Sequence, residues 1–332
     1  MKNKLITTIL ILVFAAVAVV LGFFVIREKK DYDAASKAAQ EKADELNGSQ
    51  NGISAITYNG TKYIENTSIK SYLFIGVDER EDDFVDEELT PGSAGQADCL
   101  MLLIINDETK EANILQINRN AMTELDIYGE LGSVEETVNG QICLQYAYCT
   151  GGKRSCLAQE RTVEDLLFGI TIDGYFAMSL PGIAEINDAL GGVDVTMSQD
   201  YTWINPAFVQ GTTVHLEGDL ATQFVQYRDT NVFNSVEDRM NRQTAYMASL
   251  IDSLKNIDEN TLISTLNDYV GSQILTDLKT SELKELVGYH YNTDTILTLP
   301  GEMVQGEVYE EYNVDNNALQ DMIIQMFYVE AE

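Results

Sequence analysis

Arginine is scarce here and oddly placed. The chain holds 53 acidic residues against 21 Lys and Arg, a formal charge of −32. Between Leu180 and Leu254 it has no lysine, yet Arg228, Arg239 and Arg242 fall within "FVQYRDTNVFNSVEDRMNRQTAYM". Arg239, Arg242, Gln243 and Tyr246 follow i, i+3, i+4, i+7 spacing, so a helix would carry them on one face. Met240, Thr244, Met247, Ile251 and Leu254 make the adjoining core stripe. The polar row starts in the first helical turn, where free N–H groups and the backbone dipole favour an anion. Arginine in place of lysine suits two-pronged contact with phosphate or carboxylate. The alternative is a surface helix pairing with its own Glu237 and Asp238.

A second set lies upstream. In "IINDETKEANILQINRN" the turn is too short for a crossover, so its flanking strands must be antiparallel neighbours. A turn centred between Glu108 and Thr109 sets Asp98 opposite Arg119 at one edge of the sheet. The run "YLFIGVDER" places Asp78 and Arg80 at the carboxyl end of a third strand, where open α/β sheets bind ligands. Taken alone, Asp98 and Arg119 serve equally well as a structural ion pair.

These residues need a frame. The apolar runs 72–77, 99–106 and 112–118 lack alternation, as strands buried on both faces do. Helical stretches are read at 138–149 and 155–168, then a strand at 175–180. "PGIAEINDALGG" has Pro at its start and Gly at its end, a helix signature. A strand at "VDVTM" and helices at 218–228 and 236–256 follow. Interleaved strands and helices mean α/β layering, with a central mixed sheet flanked by helices. After Asp258 come two short helices, a strand at "TILTLPG", a hairpin in "MVQGEVYEEY" and an amphipathic helix over about 315–328. The chain divides into 1–30, 31–70, 71–257 and a C-terminal α/β extension at 258–332.

Residues 5–26 carry no charge over 22 positions. A bilayer core needs about 20 for a helix, so one uncleaved N-terminal transmembrane anchor is expected. Residues 31–47 read as a helical stalk. The Asn59-Gly60 pair between β-forming runs predicts a hairpin. A pI near 4.2 excludes nucleic acid as partner, because phosphate binding there needs Lys and Arg. It also argues against docking of the folded domain on an anionic membrane. Cys149 and Cys156 bracket "TGGKRS", leaving a disulfide among Cys143, Cys149 and Cys156 open. Two histidines and no Cys-x-x-Cys make zinc a poor candidate.

"YLFIGVDER", "ADCLMLLIINDETKEANILQINRN", "INDALGGVDV", "LEGDLATQFVQYRD" and "DRMNRQ" together resemble, in order and spacing, the successive motifs of the LytR-CpsA-Psr cell-envelope family. The resemblance spans about 71–255. It implies an α/β domain outside the membrane of a cell anchored by one helix. It implies transfer of a glycopolymer, with one phosphate, from a polyprenyl-pyrophosphate carrier to a wall acceptor, usually peptidoglycan. It implies Mg2+ (or Mn2+) held by Asp78 and Asp98, catalytic roles for Arg119, Asp98 and Arg239, and pyrophosphate contacts from Arg80, Arg119, Arg228, Arg239, Arg242 and Gln243. The polyprenyl chain would lie in an apolar tunnel within the domain.

Three positions depart from the family pattern. Gln96 stands where Arg is frequent, Asn120 where Asp follows the strand-end arginine, and Gln226 where many members have Arg. Two cations and one anion are lost. Besides transfer, the departures leave two readings: a member that binds such lipids or a wall-assembly partner without turnover, and a pyrophosphate hydrolase.

Overall fold

The computed structural model describes residues 55–78 and 90–331. The apolar segment 5–26, the stretch 31–47 and Arg80 lie outside the described residues. Two compact units are present. In the smaller, β1 (Ala55–Tyr58) and β2 (Thr61–Glu65) pair antiparallel around Asn59 and Gly60. Both turn residues have positive φ, 49° and 83°, which a two-residue hairpin of matching twist requires.

The larger unit, 66–327, is built on a seven-stranded mixed sheet. Its centre is β3 (Ile69–Val77), β4 (Ala97–Asn106) and β5 (Glu111–Ile117), each antiparallel to the next. Leu100 faces Ile117 and Ile105 faces Ala112, the register expected from the Glu108–Thr109 turn. Side chains alternate across the pleat, and both sides are covered. Leu73, Ile75, Leu100, Leu102 and Leu115 are buried on one face. Phe74, Met101 and Ile114 lie on the other, beneath helices.

Residues 138–149 are not one helix. β6 (Met122–Tyr128) pairs antiparallel with β7 (Val134–Gln141), and only Leu144–Ala147, α1, is helical. The β-branched Val134, Thr137 and Val138 favour the strand, and Gly140 ends any helical preference. α2 (Gly152–Leu166) follows, then β8 (Tyr175–Ser179), parallel to β3. α3 (Leu180–Ala189) starts where Ser179 Oγ accepts from Gly182 N, with Pro181 in the first turn. A two-stranded ribbon of β9 (Val193–Thr196) and β10 (Thr213–Leu216) leads to α4 (Asp219–Gln226) and α5 (Ser235–Leu254).

The remaining chain supplies both edges of the main sheet. α6 (Glu259–Tyr269) precedes β11 (Ile274–Thr276), antiparallel to β8. After α7 (Thr280–Leu286), β12 (His290–Tyr291) and β13 (Leu297–Thr298) run parallel to β5. The hairpin of β14 (Gly301–Gln305) and β15 (Glu310–Val314) precedes α8 (Asn316–Phe327). Finally β16 (Tyr328–Glu330) pairs with β2 in the smaller unit.

All four cysteines are free, so the disulfide considered among Cys143, Cys149 and Cys156 is not formed. Cys143, Cys149 and Cys156 are buried and act as small apolar core residues.

Candidate active site

A break in strand pairing aims the first carboxylate. Gly76 pairs with Cys99 but Val77 pairs with Ala97, so Asp98 is the extra residue of a β-bulge. Regular alternation would set Asp98 on the face opposite Cys99; the bulge lets both line one cavity with Asp78. Close approach is needed here, since a Cβ on Gly76 would lie 2.9 Å from Cys99 Cβ.

Asp98 bridges two arginines. Arg119 Nε lies 2.7 Å from Oδ1, and Arg239 Nη1 donates to Oδ2 at 2.7 Å. Burial alone would raise the Asp98 pKa, but Arg239 and Arg119 outweigh it and hold the carboxyl below the usual range. Asp98 is therefore ionised throughout neutral pH, and its charge compensates two guanidinium groups buried in a low-dielectric setting.

The rest of Arg119 is tied down by the departures from the family pattern. Its Nη2 donates to Gln96 Oε1 at 2.5 Å and its Nη1 to Asn120 Oδ1 at 3.2 Å. Gln96 N in turn donates to Asp78 Oδ1 at 2.5 Å. Gln96 and Asn120 thus hold the guanidinium without cancelling its charge. Asn120 is itself fixed, its backbone N donating to Asn118 Oδ1 at 2.9 Å.

Arg239 sits on α5 along the buried row Val236, Arg239, Met240, Gln243 and Tyr246. The helix is docked by Gln116, whose Nε2 donates to Met240 O at 3.0 Å while its Oε1 accepts from Thr244 Oγ1 at 2.9 Å. Each apolar side chain buried on that row contributes roughly 1.5–3 kcal/mol, enough to keep a flanking guanidinium in place. With Nη1 on Asp98, Arg239 Nε and Nη2 remain buried without a hydrogen-bond partner among the described residues. Unmet buried donors are costly, about 1–3 kcal/mol each, so they mark a place for an anion.

Arg228 completes a cluster of three. Burial and the like charges of Arg239 and Arg119 depress its pKa, while Asp98 and Glu310 oppose them. Gln226 lines the same cavity as Asp78, Asp98 and Arg239. Arg242 is placed differently from the expected anion contact. Its Nη1 and Nη2 donate to the carbonyls of Phe224 and Tyr227, and its guanidinium packs 5.4 Å from the Tyr201 ring. Fully buried, it ties the C-terminus of α4 to α5 and so sets the segment that carries Arg228. Gln243 does similar work, donating from Nε2 to Val225 O at 3.2 Å, while also lining the cavity.

Cysteine chemistry has no place in this site. Burial pushes the Cys99 thiol up to about 12 and Cys143 up to about 11, so both stay protonated and poorly nucleophilic. Asp78 and Asp98 offer oxygen donors on one cavity, the type a hard divalent cation takes, with waters and phosphate oxygens to complete its shell. Each Asp98 oxygen keeps acceptor capacity beside its arginine, so the pair fits such an ion.

Behind the charged cluster the surface turns apolar. Gly76, Cys99, Ile183, Val225 and Gln243 are shared with an adjoining cavity of about 80 Å³. Phe74, Met101 and Met247 are shared in turn with a third, of about 180 Å³, reaching Leu283 and Tyr291. The three run along the helix-covered face of the sheet. Sequence reading missed Glu310, whose charge reaches Arg228 from β15; only the fold brings it there.

The fold has known counterparts. Bacillus subtilis TagV superposes with a TM-score of 0.58 at 20% identity, covering 79% of this chain and 96% of that one. A structure titled "TagT bound to LIIa-WTA" matches with a TM-score of 0.56 at 19% identity, covering 78% and 90%. In sequence, a Halalkalibacterium halodurans protein named polyisoprenyl-teichoic acid–peptidoglycan teichoic acid transferase TagU is 28% identical over 216 residues, 65% of this chain and 63% of the relative. A Bacillus cereus protein of the same name is 29% identical over 197 residues, 59% of this chain and 55% of the relative. The chain thus spans less than two thirds of either relative's length. The LytR_cpsA_psr family model matches residues 23–327. With most of its length matched in sequence and its sheet matched in structure, the chain belongs to the LytR_cpsA_psr family.

Proposed function

We propose that this protein transfers a phospho-glycopolymer from a polyprenyl-pyrophosphate carrier to a peptidoglycan or other wall acceptor. In this reading the apolar segment 5–26 would anchor it to the membrane, with the transfer on the outer side. The observation that carries the reading is the pair of buried N–H donors on Arg239 unmet among the described residues, clustered with Arg119 and Arg228 at the end of an apolar path. A pyrophosphate on a long hydrocarbon is the ligand whose two halves match those two surroundings. The relatives' names pair a polyisoprenyl-linked teichoic acid with peptidoglycan, which supports that donor and acceptor class here.

The residues divide the work by position. Arg239 Nε and Nη2 donate to pyrophosphate oxygens, while Asp98 keeps its Nη1 fixed. Arg119, braced by Gln96 and Asn120, neutralises charge that spreads over the phosphoryl group as its bond to the leaving phosphate breaks. Arg228 adds a third positive charge to the cluster. Asp78 and Asp98 would hold Mg2+, which supplies further charge neutralisation on the pyrophosphate. The aliphatic path beneath Phe74, Met101 and Met247 receives the polyprenyl chain and excludes water.

The three departures weaken this site less than their number implies. Losing two cations at Gln96 and Gln226 removes attraction, but losing the anion at Asn120 restores part of it. One net positive charge is missing, not two. Purified protein lacking residues 1–30 should, with Mg2+, a polyprenyl-pyrophosphate glycan and peptidoglycan, form a glycan–phosphate–peptidoglycan linkage detectable by mass spectrometry. Glycan phosphate released only to water would instead identify a hydrolase. Tight donor binding with neither product would identify a lipid-binding member without turnover.

A further inference from the structure

We infer that Glu310, on the C-terminal hairpin, is the general base that takes the proton from the acceptor hydroxyl; the inference rests on the transferase reading of the site.

Glu310 is held where the acceptor must approach. Its strand β15 is hydrogen-bonded to the turn just past Arg119, Tyr312 N donating to Asn120 O at 2.9 Å. Tyr312 also bridges to Ala121, and Glu310 lies two residues earlier on the same strand face. Gln141 Nε2 donates to the Glu310 carbonyl at 2.7 Å, fixing the backbone from the β7 side.

The carboxylate is oriented by one oxygen and leaves the other. Oε1 accepts from Asn234 N at 2.8 Å, at the start of α5, the helix that carries Arg239. Oε2 is sealed from solvent and has no hydrogen-bond partner among the described residues. A buried carboxylate oxygen without a donor is costly unless a ligand supplies one. Arg228 senses this charge and that of Asp98 together, so Glu310 belongs to the electrostatic neighbourhood of the cluster.

An approach for the hydroxyl lies alongside. A groove of about 530 Å³ with a mixed lining, Asn234, Glu237, Asn241 and Tyr312 beside Met240 and Met303, shares no residue with the apolar path. Its amide, carboxylate and phenol groups can hydrogen-bond a hydroxyl-rich sugar. Two of its residues bear on Glu310: Asn234, whose N donates to Oε1, and Tyr312, two positions along the same strand.

The step balances as follows. The acceptor O–H gives its proton to Glu310 Oε2 as its oxygen forms a bond to the glycan-linked phosphorus. The bond from that phosphorus to the bridging oxygen breaks, and polyprenyl phosphate leaves with the electron pair. Asn120 cannot take this proton, because an amide is no base at neutral pH. The other carboxylates of the cluster have other work: Asp98 is held by two arginines, and Asp78 and Asp98 are the pair that would hold Mg2+.

The test uses Glu310→Gln and Glu310→Ala in the full-length protein in detergent, measuring donor affinity, transfer kinetics and rescue by formate. A base removed by Glu310→Gln should leave the donor Kd within about twofold and lower kcat by about 100-fold. Added formate should restore part of the transfer in Glu310→Ala, where space for it exists, and none in Glu310→Gln. Transfer by Glu310→Gln within threefold of wild type overturns the inference. Parallel loss of donor binding and transfer in both variants, without rescue, assigns Glu310 to structure alone and also overturns it. No transfer by the wild-type protein would overturn the transferase reading and this inference with it.

Discussion

Asp98 serves two guanidinium groups at once, and the two cations cannot stay buried without it. Replacing it with Asn should destabilise the fold by about 3–5 kcal/mol, the range for breaking a buried ion pair from one side. The pH dependence follows from its lowered pKa. A carboxyl with a folded pKa below its unfolded value adds stability that is complete above the unfolded value near 3.8 and lost as pH falls through the folded one. Chemical unfolding of wild type and Asp98→Asn should accordingly converge below pH 4 and differ most near neutrality. A constant difference across that range would contradict the bridge. Arg242 should behave differently from Arg239. Arg242→Ala should lower the melting temperature through lost carbonyl contacts at Phe224 and Tyr227, whereas Arg239→Ala should chiefly weaken donor binding. The Asp98–Arg119 pairing was legible beforehand because a short turn fixes antiparallel register by counting. The role of Arg242 was not, since helical spacing shows which side chains share a face and not which carbonyls wait 15 or more residues away. Glu310 was further out of reach, because its neighbours Asn234 and Arg228 come from a distant part of the chain.

At the scale of elements, the bulge after Gly76 and the docking of α5 do most to build the site. Gly76→Ala would drive a methyl against Cys99 Cβ at 2.9 Å, and relief must come from moving β3 or β4. Transfer should fall by at least tenfold in that variant while the melting temperature changes by a few degrees; unchanged transfer would mean that Asp98 does not depend on the bulge. The apolar path makes a separate prediction. Met101→Trp adds bulk where two cavities meet and should raise KM for a long-chain donor more than for a short-chain analogue. Equal effects on both would place the hydrocarbon elsewhere. Continuous apolar runs identified β3, β4 and β5, since strands covered on both faces have no alternation to show. The end of β7, 138–141, was misread as the start of a helix because it runs straight into the helical turn at Leu144–Ala147. β11 and β12, three and two residues long, are too short to leave a periodic trace, whereas β13 falls within the strand read at "TILTLPG".

For the whole molecule, the C-terminal extension is part of the main seven-stranded sheet and not an appendage. Deleting 258–332 removes β11 from β8 and β12 and β13 from β5, and strips Ile263, Leu278, Leu283 and Tyr289 from the core around Tyr72 and Ile105. Such a truncation should fail to unfold cooperatively by circular dichroism; a wild-type melting curve would refute this. The charge of −32 bears on encounter with an anionic donor. Salt screens repulsion beyond a Debye length of about 10 Å at 0.1 M, so the donor's on-rate should rise between 0.01 and 0.15 M salt. A falling on-rate would mean that the arginine cluster dominates at long range. The α/β layering was visible in the sequence through continuous apolar runs and interleaved helix signals, while the apolar path behind the cluster emerged only from packing. The account stands most directly on one comparison: equilibrium binding of a polyprenyl-pyrophosphate-linked glycan to the wild-type protein, to Arg119→Ala and to Arg239→Ala. Wild type should bind at least tenfold more tightly than either variant, and more tightly than it binds the polyprenyl monophosphate. Equal affinity in all three, or no binding by wild type, would contradict the assignment of this cluster to a lipid pyrophosphate.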